Sequence, residues 1–256
     1  MSDKKKECAK VISQEMIATD VYSMWLSCPE VASVARPGQF ISLYCADEAH
    51  ILPRPISLCE IAAQEGKLRI VYRKVGFGTE EFSQMKEGDE VVILGPLGNG
   101  FSDEGGKAIL VGGGIGVPPM LEFAKHIKGE KVAVMGYRNQ ELFLKEEFEQ
   151  YLPLIVATED GSAGTKGNVI DAITSEQIKG DVIYACGPMP MLRALKEFAA
   201  KHQMKCYISL EEKMACGIGA CLGCVCKTKH VDEHSKVHNA RICTEGPVFD
   251  AEEVEI

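Results

Sequence analysis

Cysteines are concentrated near the carboxyl end of the sequence, where five of the eleven follow residue 210. Four of them, Cys216, Cys221, Cys224 and Cys243, have the spacing C-x4-C-x2-C-x18-C. The first three match the plant-type spacing of [2Fe–2S] proteins, in which two irons share four thiolates. Glycines between these cysteines allow the backbone to approach the sulfurs closely and to direct N–H groups at them. The sequence therefore predicts a [2Fe–2S] cluster bound by these four thiolates.

A structural zinc site is the alternative interpretation of this group of cysteines. Such sites usually contain two C-x2-C pairs, whereas here only Cys221 and Cys224 form one. Cys226 lies two residues beyond Cys224 and could serve as a ligand only if the loop were rearranged, so the predicted ligand set excludes it. The other six cysteines are scattered along the chain and are predicted to be small buried apolar residues.

Three histidines, His230, His234 and His238, lie between the third and fourth ligand cysteines. Their spacing of four would place them on one face of a helix, where they could bind a second metal ion. The surrounding segment, KHVDEHSKVHN, is polar throughout. A solvated insertion is therefore the favoured interpretation.

A glycine-rich loop follows a predicted buried strand in LVGGGIGVPPM. The glycines that could approach a pyrophosphate there are Gly112, Gly113, Gly114 and Gly116. The helix that follows would direct the positive end of its dipole at the phosphates. A second apolar strand, DVIYA, ends in Cys186 and Gly187. Because ligands of open α/β sheets bind at the carboxyl ends of the strands, we expect both segments to face one nucleotide-binding crevice. Simple packing is the alternative for Cys186.

Two further segments combine basic residues, hydroxyls and glycines. RPISL begins with Arg54, which could neutralise a phosphate, and contains Ser57, whose hydroxyl could reach a ring nitrogen. In VYRKVGFGT, Gly76 and Gly78 precede a helix predicted near Thr79, which would form a second anion site. Physical chemistry alone favours an exposed arginine and a structural serine for the first of these segments.

The elements around these motifs form three regions. Residues 1–102 contain six short β-rich segments separated by turns, typical of a small antiparallel barrel or sandwich, with one short helix predicted at 79–85. Residues 103–210 alternate buried apolar strands with helices, the pattern of a parallel sheet covered on both faces. Residues 211–256 are too few to build a large core, so a metal centre is expected to stabilise them.

The composition is that of a globular protein, with 46% apolar and 25% charged residues among 256. With 28 basic against 37 acidic residues, the formal charge of -9 disfavours a nucleic-acid role, because phosphate neutralisation needs a basic surface. The longest run without charge, from Ala108 to Leu121, is shorter than the roughly 20 residues that span a bilayer. No signal peptide is recognisable at the amino end, so we expect a cytoplasmic protein.

The order of these motifs resembles the ferredoxin–NADP reductase superfamily: PGQF, RPIS, GFGT before a helix, GPLG, GGGIG with PP, and CGPMPML. The string SLEEKMACGIGACLGCVC with the late ICTEGPVF is similar to the electron-transfer subunits of class 1B dihydroorotate dehydrogenases. The resemblance extends from Pro37 to Phe249. It implies an FAD-binding barrel (1–102), an NAD-binding α/β domain (103–210) and a terminal [2Fe–2S] module (211–256).

The resemblance also implies roles for individual residues. Arg54 would contact the FAD pyrophosphate, and Ser57 would lie near flavin N5. The rest of the implied FAD site is Pro55, Ile56, Val71, Tyr72, Arg73, Gly78 and Thr79. The superfamily often has an aromatic residue where Ile56 stands, and the ending AEEVEI contains no aromatic side chain to cover the flavin.

In such a family the partner subunit oxidises dihydroorotate on FMN, and electrons pass through the cluster and FAD to NAD+. The chain would then work in a complex, expected as two copies of each subunit, and would contribute no acid–base catalytic pair of its own. A flavoprotein subunit of a hydrogenase or of a ferredoxin–NADP oxidoreductase complex is the redox alternative, and a zinc-binding module is the non-enzymatic one. Arg138 could accept the 2′-phosphate of NADP, but Glu141 and the Glu159–Asp160 pair disfavour added negative charge, so NAD is expected.

Overall fold

The computed structural model describes residues 4–47, 49–231 and 236–256. Its amino-terminal region is a barrel of six antiparallel strands: β1 (Lys5–Ala18), β2 (Val21–Ser27), β3 (Phe40–Leu43), β4 (Arg54–Ala62), β5 (Lys67–Arg73) and β6 (Glu90–Leu97). The barrel closes in the order β1-β2-β5-β4-β3-β6, with β6 paired to β1. Alternating aliphatic side chains fill its interior, among them Ile41 and Leu43 of β3. The six predicted strands and their barrel are confirmed.

Two short helices accompany the barrel, α1 (Pro29–Ala32) and α2 (Phe77–Ser83). The second begins two residues before the predicted range of 79–85. The difference arises at Thr79, whose Oγ1 accepts hydrogen bonds from the backbone N–H groups of Val75, at 2.9 Å, and Gly76, at 3.2 Å. Thr79 therefore satisfies free backbone donors from inside the first turn, and the helix begins before it.

The second region is an α/β domain in which strands and helices alternate as predicted. Its strands are β7 (Ala108–Gly113), β8 (Lys131–Tyr137), β9 (Leu154–Thr158), β10 (Thr165–Lys166), β11 (Val182–Cys186) and β12 (Lys205–Ser209). Its helices are α3 (Pro118–His126), α4 (Lys145–Glu149), α5 (Val169–Ser175) and α6 (Met189–His202). Successive residues of β7 contact opposite helix layers: Ile109 packs in the cluster that contains α5 and α6, and Leu110 in the cluster that contains α3 and α4. The helices thus cover both faces of the sheet.

The helix predicted over LFLKEEFEQY is shorter in the structure, where α4 spans only its middle. Phe143 and Leu144 are buried before the helix starts, and the Phe143 carbonyl accepts a hydrogen bond from the Tyr137 hydroxyl at 3.0 Å. Leu144 has φ 65°, a left-handed conformation that a continuous helix does not contain. Tertiary contacts therefore override the helical pattern at this end. The described helices are all too short or too polar to cross a bilayer.

The carboxyl-terminal region adds four short strands: β13 (Val225–Thr228), β14 (Asn239–Arg241), β15 (Val248–Asp250) and β16 (Val254–Glu255). Strands β14, β13 and β16 form a small sheet, whereas β15 pairs antiparallel with β12 at the edge of the α/β sheet. The large sheet consequently has the order β10-β9-β8-β7-β11-β12-β15. Of these strands, β10, β12, β13, β14, β15 and β16 are absent from the sequence-based expectation. Five of them have only two to four residues, and β12 begins with a lysine and ends with a serine, so it lacks the continuous apolar run that indicates β9 and β11.

An ionic network joins the barrel to the α/β domain. Glu60 of β4 accepts hydrogen bonds from Arg69 Nη1, at 2.6 Å, and from Lys125 Nζ of α3. Glu122, also of α3 and only 2% exposed, accepts the backbone N–H of Ile61 at 3.0 Å. Burial alone would raise the pKa of Glu60, but the hydrogen bonds from Lys125 and Arg69 outweigh it and the pKa is lowered. The helix that follows the glycine-rich loop is therefore fixed against the strand that begins with Arg54.

Candidate functional site

The four predicted ligand cysteines lie together as two pairs of thiols. The Cys221 thiol lies close enough to Cys216 to lower the pKa of the Cys216 thiol, and the Cys224 thiol lies close enough to Cys243 to raise the pKa of the Cys243 thiol. Cys216 is also near enough to Cys243 for its charge to act on the pKa of the Cys243 thiol. Two neighbouring pairs are the arrangement needed by two irons that each bind two thiolates. In the described part of the chain, no three His, Cys, Asp or Glu side chains converge in the way that suits a single metal ion.

The loop between the first two ligands is built to stabilise negative charge on sulfur. Burial alone would raise the pKa of the Cys216 thiol, but the Cys221 thiol and the backbone N–H groups of Ile218, Ala220 and Cys221 hydrogen-bond to it and lower its pKa to about 6. Burial raises the pKa of Cys243 to about 12, reinforced by the Cys224 thiol. The loop is thus arranged to hold Cys216 as a thiolate, the form in which cysteine binds metal.

The two sequence features that were set aside from the ligand set lie apart from the thiol pairs. Cys226 is half-buried in β13, where its backbone pairs with Ala240, and burial raises its pKa to about 11. His230 and His238 are exposed, and described residues 229–231 and 236–238 contain no helix. His234 lies outside the described residues. The exposed histidines agree with the solvated insertion rather than with a shared helical face.

A cavity of about 560 Å³ lies between the barrel and the α/β domain. Its size is within the range typical of sites for organic ligands and cofactors. Every residue of the expected FAD site except Gly78 lines it, namely Arg54, Pro55, Ile56, Ser57, Val71, Tyr72, Arg73 and Thr79. The first four begin β4 and the next three end β5, two strands that pair in the barrel. The pairing therefore brings the two sequence motifs to one wall.

Gly78 does not line the cavity but lies directly against the Arg54 side chain, which does. A Cβ atom on Gly78 would lie 2.2 Å from Arg54 Nε and 2.6 Å from its Cζ. The guanidinium group is held by the carbonyls of Leu52 and His50, to which Nη1 donates. Only glycine lets the arginine lie against the start of α2, so the two motifs depend on each other.

The cavity has a second wall that sequence reasoning did not identify. It is lined by the last residue of β12 and the residues that follow it, together with three others: Ser209, Leu210, Glu211, Glu212, Lys213, Met214, Phe40, Ile115 and Pro247. Glu211 has access to the cavity, and the protein atoms around it raise the pKa of its carboxyl group by desolvation. The only sequence signal for this wall is its place at the end of a buried strand, because ligands collect at such ends.

The glycine-rich loop and the CGP segment meet at the carboxyl ends of β7 and β11. A Cβ atom on Gly116 would lie 2.3 Å from the Cys186 carbonyl oxygen and 2.6 Å from the Gly187 Cα. Gly112 and Gly113 are also closely packed, against the Met135 and Met191 sulfurs respectively. The Cys186 thiol is fully buried, so that only its backbone can face the crevice.

Gly114 differs from its neighbours in the loop. Its φ is +54°, and a Cβ atom placed on it would have no atom within 4 Å. It is thus the loop glycine at which the backbone borders open space, as an approaching ligand requires. Close packing alone explains why the other three positions are occupied by glycine.

The fold is found in oxidoreductases that bind two nucleotide cofactors. It matches a ferredoxin NADP+ reductase from Neisseria gonorrhoeae with bound FAD and NADP, at a TM-score of 0.64 over 78% of this chain and 92% of that chain, with 15% identity. The barrel and the parallel sheet therefore have the fold of that reductase.

The sequence comparisons are more specific. The family model "Iron-sulfur cluster binding domain of dihydroorotate dehydrogenase B" matches residues 211–255, and "Oxidoreductase NAD-binding domain" matches residues 110–197. The dihydroorotate dehydrogenase B (NAD(+)) electron transfer subunit of Bacillus caldolyticus is 45% identical over 97% of this chain and 98% of its own length. This chain belongs to the family of dihydroorotate dehydrogenase B electron transfer subunits.

A solved structure agrees over nearly the whole chain. A chain from the NADH-dependent reduced ferredoxin-NADP oxidoreductase, described in connection with flavin-based electron bifurcation, has a TM-score of 0.88 and 30% identity. The match covers 97% of this chain and 90% of that one. The iron–sulfur region is thus included in the structural similarity.

Proposed function

We propose that this chain transfers electrons from the FMN of a dihydroorotate-oxidising partner to NAD+, by way of a [2Fe–2S] cluster and FAD. The observation that carries the proposal is that one buried cluster contains two thiols of the ligand set and a residue that lines the cavity. Phe40 of β3 lines the cavity, and it packs in the same buried cluster as Cys224 and Cys243. A cofactor in the cavity and a cluster on the thiols would therefore border one continuous buried apolar cluster, which suits transfer of electrons between them.

The residues present fit both groups. The cavity has an arginine held at one end for a pyrophosphate, and the paired thiols with inward backbone N–H groups suit bridged irons. Arg54 would bind the FAD pyrophosphate, Pro55, Ile56 and Ser57 would lie along the flavin, and Ser57 would be near N5. The rest of the FAD site would be Val71, Tyr72, Arg73, Gly78 and Thr79. When bound, FAD exchanges a hydride with NAD+ and the cluster exchanges single electrons.

The NAD site is proposed at the ends of β7 and β11. The glycine-rich loop (Gly112, Gly113, Gly114 and Gly116) and the Cys186–Gly187 backbone would border the dinucleotide, with Gly114 offering the open approach. Glu141, three residues after Arg138 in the sequence, accepts hydrogen bonds from the Thr19 N–H, at 2.9 Å, and hydroxyl, at 2.6 Å, which lower the pKa of its carboxyl group and keep it ionised. That negative charge supports NAD over NADP.

No acid–base catalytic residue is assigned to this chain, whose part is to bind and orient its cofactors. We propose the division into 1–102, 103–210 and 211–256 for FAD, NAD and cluster. The relatives are named as subunits, which supports a complex with an FMN-containing catalytic subunit, proposed as two copies of each. None of the eleven cysteines, all of which lie in the described residues, forms a disulfide, and this supports a reducing compartment, for which we propose the cytoplasm.

Quantitation of iron, sulfide, zinc and flavin in the protein purified without air tests the cofactors. The proposal expects two irons, two sulfides and one FAD per chain, with a flavin and iron–sulfur absorbance spectrum. A colourless protein with stoichiometric zinc contradicts it. NADH and NADPH oxidation with an artificial acceptor tests the nucleotide, and equal or better use of NADPH contradicts the preference for NAD.

A second candidate is the corresponding subunit of a ferredoxin–NADP oxidoreductase or hydrogenase complex. It is favoured by the similarity to the NADH-dependent ferredoxin-NADP oxidoreductase structure. Affinity purification of the chain from its own cells distinguishes the two. Recovery of an FMN protein that reduces NAD+ with dihydroorotate supports the first candidate, and recovery of a partner that oxidises ferredoxin or hydrogen supports the second.

A further inference from the structure

A buried hydroxyl group in the barrel lacks a hydrogen-bond partner. Ser42 of β3 is 0% exposed, and its Oγ is the one buried side-chain oxygen or nitrogen in the described part of the chain without such a partner. Buried hydroxyl groups are nearly always paired, since an unpaired one loses its hydrogen bonds to water without replacement. We therefore expect the hydrogen-bond partner of Ser42 to be present in the protein with its cofactors bound.

The strand direction shows where this hydroxyl faces. In β3, Ile41 and Leu43 point into the barrel interior. Phe40 points outward and packs in the cluster that contains Cys224 and Cys243. Side chains two residues apart share one face of a strand, so Ser42 faces outward with Phe40, toward the cysteine-bearing region.

Ser42 also lies against the loop of the first ligand. A Cβ atom on Gly217, the residue directly after Cys216, would lie 3.3 Å from Ser42 Oγ and 3.2 Å from Leu97 Cδ1. Gly217 has φ +67°, so a side chain there would be both strained and obstructed. Ser42 is absent from the cavity lining, although Pro55, its register partner on β4, does line the cavity. The hydroxyl thus lies beside the loop that carries Cys216 and outside the cavity lining.

We infer that Ser42 donates a hydrogen bond to a sulfur atom of the [2Fe–2S] cluster and raises the reduction potential of the cluster. The inference rests on the proposed function, because it requires the cluster. An added electron increases the negative charge on the sulfurs, so a nearby donor stabilises the reduced form more than the oxidised form. The barrel that binds the flavin would in this way also adjust the cluster.

The test is an EPR-monitored redox titration of the flavin- and cluster-loaded protein, in the wild type and in Ser42→Ala. Loss of the donor is expected to shift the equilibrium against the reduced cluster about tenfold, which for one electron is a fall of about 59 mV. The potential of FAD should stay at its wild-type value. Ser23→Ala is the matched control, because Ser23 is also buried in the barrel, but in β2, and its Oγ accepts from Arg69 Nε at 2.9 Å.

A second pair of variants guards against a folding defect. Ser42→Thr and Ser42→Val have nearly the same shape and differ in the hydroxyl group, so the Thr variant should have the higher cluster potential. An unchanged cluster potential in Ser42→Ala, with the EPR signal of the reduced cluster intact, overturns the inference and leaves the proposed function standing. A shift of the FAD potential alone also overturns it. Absence of any cluster signal from the wild type contradicts the proposed function itself.

Discussion

The contact between Gly78 and Arg54 predicts that a substitution at Gly78 weakens flavin binding without lowering folding stability. In Gly78→Ala the new Cβ would lie 2.2 Å from Arg54 Nε, and the guanidinium group must move away. The displaced atoms are the far end of a flexible side chain, so the backbone of α2 need not shift. Alanine also favours a helical conformation over glycine by roughly 0.5–1 kcal/mol. The flavin-free variant should therefore be as stable as the wild type or slightly more stable.

Flavin binding should weaken, because Arg54 is the proposed ligand of the FAD pyrophosphate. A hydrogen bond between charged groups contributes about 1.5–3 kcal/mol, and 1.4 kcal/mol corresponds to a tenfold change in Kd. The Kd for FAD should thus rise about 10- to 150-fold. Titration of FAD into deflavinated protein, followed by flavin fluorescence, measures it, and thermal unfolding of the same samples measures stability.

Gly76→Ala is the matched control for this substitution. Gly76 is two residues away in the same GFG motif, has an extended backbone, and would have no atom within 4 Å of an added Cβ. Its Kd for FAD should stay within about twofold of the wild type. An unchanged FAD affinity in Gly78→Ala would refute the assignment of Arg54 to the pyrophosphate, whereas equal weakening in both variants would refute the steric argument.

Three further predictions concern the rest of the molecule. Gly116→Ala places a Cβ 2.3 Å from the Cys186 carbonyl oxygen and should lower the free energy of unfolding by about 1–3 kcal/mol in denaturant titrations, since backbone cannot easily yield; full stability would contradict that packing. The Cys226→Ala variant should retain its iron, whereas the Cys243→Ala variant should lose it, and iron and sulfide assays measure both. Loss of iron from both variants would contradict the proposed ligand set. The lowered pKa of Glu60 stabilises the fold above its unfolded value near 4.5, and this contribution is lost as pH falls through the folded value. The Glu60→Gln substitution should therefore lower the free energy of unfolding by about 1–3 kcal/mol at neutral pH, and the variant should lose less stability than the wild type between pH 5 and 3. An equal loss of stability in the two proteins over that pH range would contradict this prediction.

The sequence allowed the main architecture to be predicted because its signals are local. Five of the six barrel strands have seven or more residues, and the buried strands of the α/β domain are nearly continuous apolar runs. The ligand cysteines could be chosen because the spacing of Cys216, Cys221 and Cys224 reflects the geometry of one loop. Cys226 could be set aside for the same reason.

Features that depend on distant parts of the chain could not be predicted. The place of Ser42 against Gly217 joins residues far apart in sequence, and neither residue type announces the contact. The cavity wall formed by Glu211 and Met214 follows a strand of five residues that has no distinctive period. The glycine-rich loop indicated a phosphate site, but only the packing around Gly116 and Gly114 separates glycines needed for close contact from the one beside open space.

The pairing of β15 with β12 has a consequence for how the cysteine-bearing segment can be removed. The segment leaves the large sheet after Ser209 and returns beside it at Val248, and the Leu210 N–H donates to the Pro247 carbonyl at 2.8 Å. The cysteine-bearing segment is therefore an insertion between two paired strands and not a carboxyl-terminal extension. A chain cut short after residue 210 would lack the outermost strand and leave β12 as an unprotected edge open to aggregation. A metal-free version that stays monodisperse should instead be made by splicing Leu210 to Pro247 with a short linker.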